Sequence, residues 1–168
     1  LIPHQEMVIT ITERGYVKSM PLDTYKAQHR GGRGVSGMAT READILQHLI
    51  VADTHDNLLF FTNTGRVYSM RCFEIPVDVS RTTRGIPLVN MLSVSQGELA
   101  NAILATSKDR EESEYILLAT KKGEIKRMHF SSVAQIRSNG KLAMNLEEGD
   151  ELVSVRRASE EDDVVMVT

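Results

Sequence analysis

Short apolar runs recur along the chain at regular intervals, and the residues after each run follow one pattern. The runs are Met7 to Ile11, Leu58 to Phe61 and Tyr115 to Ala119. Each leads into a segment of the form Thr-x-x-Gly-x-(Val/Ile)-x-x-Met: Thr12 to Met20, Thr62 to Met70 and Thr120 to Met128, which superimpose without gaps. Apolar runs this short, followed by a glycine-containing turn and a second alternating run, predict β-hairpins. The hairpin glycines lie 50 and then 58 residues apart, and the longer interval accommodates a charged insertion, Lys108 to Glu114.

A second anchor follows each hairpin glycine: Arg33-Gly34-Val35, Arg84-Gly85-Ile86 and Asn139-Gly140-Lys141-Leu142, lying 19, 20 and 17 residues on. Further apolar stretches, such as Ile86 to Leu92 and Ala102 to Thr106, complete four short strands per repeat. Four strands in about 50 residues mark propeller-like blades, because helical solenoid repeats are shorter. The expected fold is all-β, one domain over residues 1–168 with about three four-stranded blades: repeat 1 about 7–57, repeat 2 about 58–114, repeat 3 about 115–163. Val164 to Thr168 repeats the opening of each unit, so the chain reads as a fragment that stops just inside a fourth repeat. Met38 to Ile50 places Ile45, Leu46 and Leu49 on one helical face. Its counterparts Leu99 to Ala105 and Leu152 to Val155 read as strands, so a loop running into a strand is expected there. Pro21 to Arg30 is polar and reads as a turn.

No apolar run approaches the roughly 18 residues of a membrane span, and the N-terminus carries no signal-peptide pattern. The single Cys72 excludes an intramolecular disulfide and a cysteine-based zinc site within one chain, leaving a buried, idle thiol as the expectation. These features point to a soluble, cytoplasmic protein. Few aromatics and no tryptophan argue against a single-strand binder built on stacking platforms. A net charge of −3 would argue against nucleic acid, but the charge alternates with the repeat. Residues 14–41 sum to +5, 42–65 to −4, 66–84 to +2, 85–120 to −3, 121–141 to +5 and 142–168 to −6. The basic half of each repeat runs from the hairpin turn to the second anchor. If repeats stack around an axis, these cations fall at matching radii, as a stripe suited to a phosphate backbone. One such cluster would be a solvated face; three in phase with a repeat point to a polyanion.

The sharpest motif is Gln28-His29-Arg30-Gly31-Gly32-Arg33-Gly34. Its glycines permit tight turns and expose consecutive N–H groups, while Arg30 and Arg33 offer planar guanidinium groups for bidentate phosphate contacts. The bland alternative is a glycine-rich turn with solvated arginines. Gly32-x-Gly34-x-x-Gly37 also spells a dinucleotide fingerprint, but that motif needs a strand before it and a helix after it, and neither is expected. No Gly-Lys-(Ser/Thr) follows, which excludes a P-loop. The five histidines lack ligand spacing, His48 and His55 beside Asp56 reading as a loop pair rather than a metal site. Neither a Ser-His-Asp nor a paired-carboxylate grouping emerges from spacing.

The heptad resembles the seven-residue box of gyrase A subunits, Gln-(Arg/Lys)-Arg-Gly-Gly-(Arg/Lys)-Gly, with His29 as the one departure. The surroundings resemble the same family: Gly15-Tyr16-Val17-Lys18, Ala52-Asp53-Thr54-His55-Asp56, Gly65-Arg66-Val67-Tyr68, Arg84-Gly85-Ile86-Pro87 and Gly149-Asp150-Glu151-Leu152. The resemblance covers essentially the whole chain. It implies a six-bladed β-pinwheel, a propeller relative whose neighbouring blades exchange strands, and a basic outer rim that wraps duplex DNA with the box required. His29 makes one contact dependent on pH, since histidine is only partly charged near neutrality. The implied setting is a nucleoid-associated, ATP-dependent type IIA topoisomerase that introduces negative supercoils. Its ATP and Mg sites lie on other domains, and its partners are double-stranded DNA, the gyrase B subunit, and the rest of the gyrase A subunit. No catalytic residue, metal or cofactor is expected in this fragment. The DNA-binding residues expected are the box (Gln28, His29, Arg30, Gly31, Gly32, Arg33, Gly34) with Lys18, Lys26, Arg66, Arg71, Arg84, Lys121, Lys122, Lys126, Arg127, Arg137 and Lys141. The alternatives are the corresponding region of topoisomerase IV, which usually lacks an intact box, and a propeller-type scaffold for proteins. Unpaired strand edges make self-association a further expectation.

Overall fold

The computed structural model describes residues 1–30, 44–107, 114–133, 136 and 139–158. Repeat 1 supplies β1 (Glu6–Thr12), β2 (Tyr16–Pro21), a short helix α1 (Leu22–Gln28) and β3 (Leu46–Asp53). Repeat 2 supplies β4 (Asn57–Thr62), β5 (Arg66–Arg71), the two-residue β6 (Ile86–Pro87) and β7 (Ala100–Thr106). Repeat 3 supplies β8 (Tyr115–Thr120), β9 (Ile125–His129), β10 (Lys141–Leu142) and β11 (Leu152–Ala158). The three expected hairpins are β1–β2, β4–β5 and β8–β9. In each turn the glycine amide donates to the threonine carbonyl three residues back: Gly15 to Thr12 at 2.9 Å, Gly65 to Thr62 at 3.1 Å and Gly123 to Thr120 at 3.0 Å.

The sheets run β3-β1-β2-β6, β10-β5-β4-β7 and β11-β8-β9. A repeat therefore keeps three strands and lends its fourth to the blade before it. Ile86 of repeat 2 pairs with Val17, and Lys141 of repeat 3 pairs with Val67, so the two anchors occupy the same place against successive hairpins. The third sheet has three strands among the described residues, one fewer than the four expected. The strands end where the chemistry stops them. Ile86 to Leu92 is extended only over β6, because Pro87 brings a fixed φ and no N–H, and a 3-10 turn (Leu88–Asn90) follows. Gly85 adopts φ +98°, and a side chain there would strike the Val17 carbonyl across the exchanged edge. Pro21 to Arg30, expected as a turn, instead forms α1. No α1 residue is buried, so this helix of barely two turns leaves no apolar period to read.

Side-chain alternation then builds the core. All six β4 residues are buried, as expected for the middle of three stacked blades. Leu58 and Phe60 face the first sheet with Met7, Ile9, Ile11 and Val17, whereas Leu59 and Phe61 face the third with Ile116, Leu118 and Phe130. Each such side chain contributes about 1.5–3 kcal/mol by burial. β3 packs on β7 and β7 on β11, which sets these strands toward the axis and leaves β2, β5 and β9 toward the rim. The crossover before β6 is laid along the rim edge of β2. Ser19 bridges Val77, and the Asp78 amide donates to the Ser19 carbonyl at 2.8 Å. Cys72 is buried, and burial, then Asp56 and Asp53, push its thiol up to about 12, an unreactive group.

Candidate nucleic-acid interface

The cationic residues fall mainly on the rim elements. Lys18 lies on β2, Arg66 and Arg71 at the two ends of β5, and Lys126 and Arg127 on β9; Lys141 lies on the exchanged strand β10 and Arg84 just before β6. Lys121 and Lys122 sit in the β8–β9 turn, both exposed. A six-residue strand spans roughly 17–20 Å, so these charges cover the height of the rim rather than one line. Successive residues on a strand point to opposite faces, and Lys126 and Arg127 do so. Lys126 turns toward the second blade, bonding the Ala143 carbonyl at 2.7 Å, whereas Arg127 stacks its guanidinium 4.6 Å from the Tyr115 ring.

Among the described residues, several of these cations bond backbone carbonyls, and Lys18 and Lys122 also lie near the Asp78 and Asp150 carboxylates. The Lys18 ammonium donates to Ser80 and Thr83 carbonyls, Arg66 to Asn139 at 2.9 Å, and Arg71 to His55 at 3.2 Å. Lys122 donates to the Glu148 carbonyl at 2.7 Å and Lys141 to Ser132 at 2.8 Å. Each carbonyl keeps the donor's full charge in place. Lys18 and Arg66 reach carbonyls of the following repeat, so they also fasten the crossover segments. Arg84 lies 5.8 Å from the Tyr16 ring and Arg66 lies 6.0 Å from the Tyr68 ring.

Of the box, Gln28, His29 and Arg30 are described, while Gly31, Gly32, Arg33, Gly34 and also Arg137 lie outside the described residues. Gln28 closes α1 and donates to the Val79 carbonyl at 2.6 Å, which joins the box to the second repeat's crossover. His29 stacks on Tyr25 with ring centroids 4.0 Å apart. Lys26 and Arg30 are exposed. The structure thus brings Lys18, Gln28 and His29 around one cleft, and across the β5–β10 pair it sets Arg66 opposite Leu142 and Lys141 opposite Val67. Among the described residues, no third-blade cation lines that cleft.

One set of functional positions escaped the sequence reading: an acidic residue shortly before each axial strand. Thr12 donates to the Asp44 carboxylate, which also accepts the Arg14 amide at 3.0 Å. Glu98 accepts Thr62, then Thr64 at 2.9 Å, Tyr68 at 2.9 Å and the Ser95 amide at 2.8 Å. Asp150 accepts the Lys122 and Glu151 amides, each at 2.9 Å. Burial opposes ionisation of Glu98, yet bonds from Thr62, Ser95, Tyr68 and Thr64 outweigh it and hold its carboxyl below the usual range. The Tyr68 hydroxyl is pushed up, by burial first and then by its bond to Glu98. Part of the acidic half of each repeat is therefore internal scaffolding. Its signal was Gly97-Glu98-Leu99 beside Gly149-Asp150-Glu151-Leu152. Among the described residues, no group of three or more His, Cys, Asp or Glu could hold a metal ion, and no helix is long and apolar enough to cross a membrane.

Three stacked repeats, lending strands to the blades before them and carrying cations on the outer edge, define a strand-exchanged, propeller-like β domain. The chain matches the family described as DNA gyrase C-terminal domain, beta-propeller, over residues 6–53, 56–106 and 114–159, and it belongs to that family. It is 44% identical over its whole length to the DNA gyrase A protein of Dehalogenimonas lykanthroporepellens, covering 20% of that relative. The chain spans about a fifth of the length of the curated relatives it matches. Among solved structures, a topoisomerase IV C-terminal domain superimposes with TM-score 0.73 at 24% identity, over 94% of this chain and 47% of that one. A DNA gyrase A C-terminal domain superimposes with TM-score 0.66 at 23% identity, over 93% and 49%. At these identities the structural likenesses speak for the fold alone, and the 44% identity speaks for the gyrase A side of the family.

Proposed function

We propose that the chain is part of the DNA-wrapping region of gyrase A, bending double-stranded DNA around its rim. The observation that carries this reading is the recurrence, in three blades, of rim cations bonded to backbone carbonyls, as Lys18, Arg66 and Lys126 are. Each phosphate neutralised by Lys18, Arg66, Lys126 or their neighbours releases counterions, and several blades together offset a bending cost of order 1–10 kcal/mol for a 20–30 base-pair site. Side chains on both faces of an exposed edge strand, such as Lys126 and Arg127, straddle a backbone that passes along that edge. Box residues Arg30 and Arg33 supply the bidentate contacts, and Gly31, Gly32 and Gly34 let the backbone approach a phosphate.

In this reading the wrap presents a neighbouring duplex to a gate carried elsewhere in the enzyme, and ATP hydrolysis with Mg on other domains drives strand passage. The partners are the gyrase B subunit, together with the remainder of gyrase A, in the cytoplasm on the nucleoid. A second copy of this chain is able to cover its open faces. Ligation of a nicked plasmid with and without the chain tests the wrap. The parent shifts the topoisomer distribution in one direction, and Arg30→Ala with Arg33→Ala abolishes the shift while leaving the thermal melt unchanged. Equal shifts for parent and variant would refute the role of the box.

A further inference from the structure

A cleft of about 190 Å³ opens between α1 and the edge of blade 1, lined by Lys18, Tyr25, Gln28, His29 and Arg81 among others. Two repeats build it. Lys18, Gln28 and His29 come from repeat 1, whereas Arg81 belongs to the crossover of repeat 2 and is part of no motif. The walls are fastened together by the Lys18 ammonium on the Ser80 and Thr83 carbonyls and by the Gln28 amide on the Val79 carbonyl at 2.6 Å. His29 holds Tyr25's carbonyl through Nδ1 at 2.8 Å; a carbonyl only accepts, so Nδ1 carries the proton and Nε2 is left for a ligand. The neighbouring carboxylate, Asp78, accepts the Thr83 hydroxyl at 2.5 Å and the Ser80 amide at 3.0 Å. These bonds, and then the nearby Lys18 charge, hold its carboxyl below the usual range, so Lys18 is partly offset and, among the described residues, Arg81 is the cleft cation left free. Arg81 is exposed and makes no hydrogen bond or ion pair among the described residues.

We infer that this cleft is a phosphodiester subsite and that Arg81 is a DNA-contact residue which the following repeat adds to Lys18, Gln28 and His29. The inference rests on the wrapping reading above. Lys18 supplies a fixed positive floor, Arg81 a free planar fork for two phosphate oxygens, and His29 Nε2 a third contact when protonated. The subsite exists only when the second repeat's crossover is docked on the first blade, so Lys18, Gln28, His29 and the crossover grip the backbone as one unit. Inorganic phosphate shares the chemistry, and the test separates it from the duplex.

Duplex affinity of the 168-residue chain is measured from about 50 to 200 mM salt for the parent, Arg81→Ala, Arg81→Lys and the axial-strand control Arg156→Ala. Arg81→Ala is expected to weaken binding roughly tenfold and lower the salt slope by about one. Arg81→Lys restores the slope but not the full affinity, and Arg156→Ala matches the parent. Arg81→Ala indistinguishable from Arg156→Ala, with the parent still binding steeply in salt, overturns the subsite alone. A parent without salt-dependent duplex binding overturns the wrapping reading and the subsite with it. Amide NMR shifts at Gln28, His29 and Arg81 follow inorganic phosphate. Its release as duplex is added supports the subsite, and its retention beside saturating duplex overturns it.

Discussion

Glu98 gathers two threonine hydroxyls, a tyrosine hydroxyl and a backbone amide onto one buried carboxylate at the mouth of the second hairpin. All four are donors, so the site suits a charged acceptor. Glu98→Gln replaces two acceptor oxygens with one and turns an N–H₂ toward donors, at a cost of about 1–3 kcal/mol. The sign of the pH dependence follows from the depressed carboxyl. Ionised Glu98 contributes stability that is fully present above the ordinary glutamate value near ~4.3 and is lost as pH falls through the lower folded value. Thermal melts of parent and Glu98→Gln should therefore stay separated at neutral pH and converge below about pH 4. A separation that persists unchanged into acid would show that the charge of Glu98 does not matter.

Strand exchange makes a sharp demand on one glycine. Gly15 and Gly85 both sit at positive φ, +85° and +98°, so alanine is strained at either. Gly15 has open space around it, whereas a Cβ on Gly85 collides with the Val17 carbonyl and crowds Lys18. Gly15→Ala should cost about 1–2 kcal/mol in urea unfolding, and Gly85→Ala clearly more because the exchanged strand must also move. Equal costs would mean that β6 contributes little. The same contrast explains what the sequence could and could not reveal. Hairpins were legible because Thr12 to Met20 and its two copies are local and periodic. The exchange was expected only from the family resemblance, because Val17 and Ile86 lie far apart in sequence and periodicity says nothing about which blade receives a strand. α1 has no buried face to betray it. The cleft residue Arg81 stands outside the repeat's shared pattern, and the acid before each axial strand changes type and spacing between repeats. The periodic charge placed Lys18, Arg66 and Lys126 on equivalent hairpin strands, but not the turn of Lys126 and Arg127 to opposite faces.

Among the described residues the middle sheet is covered on both sides and the outer two each leave a face without a neighbouring sheet. On the first sheet, Leu49 and Val51 point away from the core and are 42% and 48% exposed; on the third, Ile125 is 46% exposed. Each exposed face is the counterpart of one that the stack buries between blades, and the third sheet has an unpaired edge at β9 among its described strands. The solved domains of this fold are about twice the matched length, since this chain covers 47% and 49% of the two compared. Two copies could thus continue the stack head to tail, each third sheet against the other's first sheet, and close a ring with two equivalent contacts. At high concentration the 168-residue chain should sediment as a dimer, and Leu49→Lys with Val51→Lys should return it to a monomer. Apolar association persists at high salt, where duplex binding falls away, so the two interactions separate in one salt titration. A parent chain that stays monomeric at high concentration would refute the pairing without touching the rim.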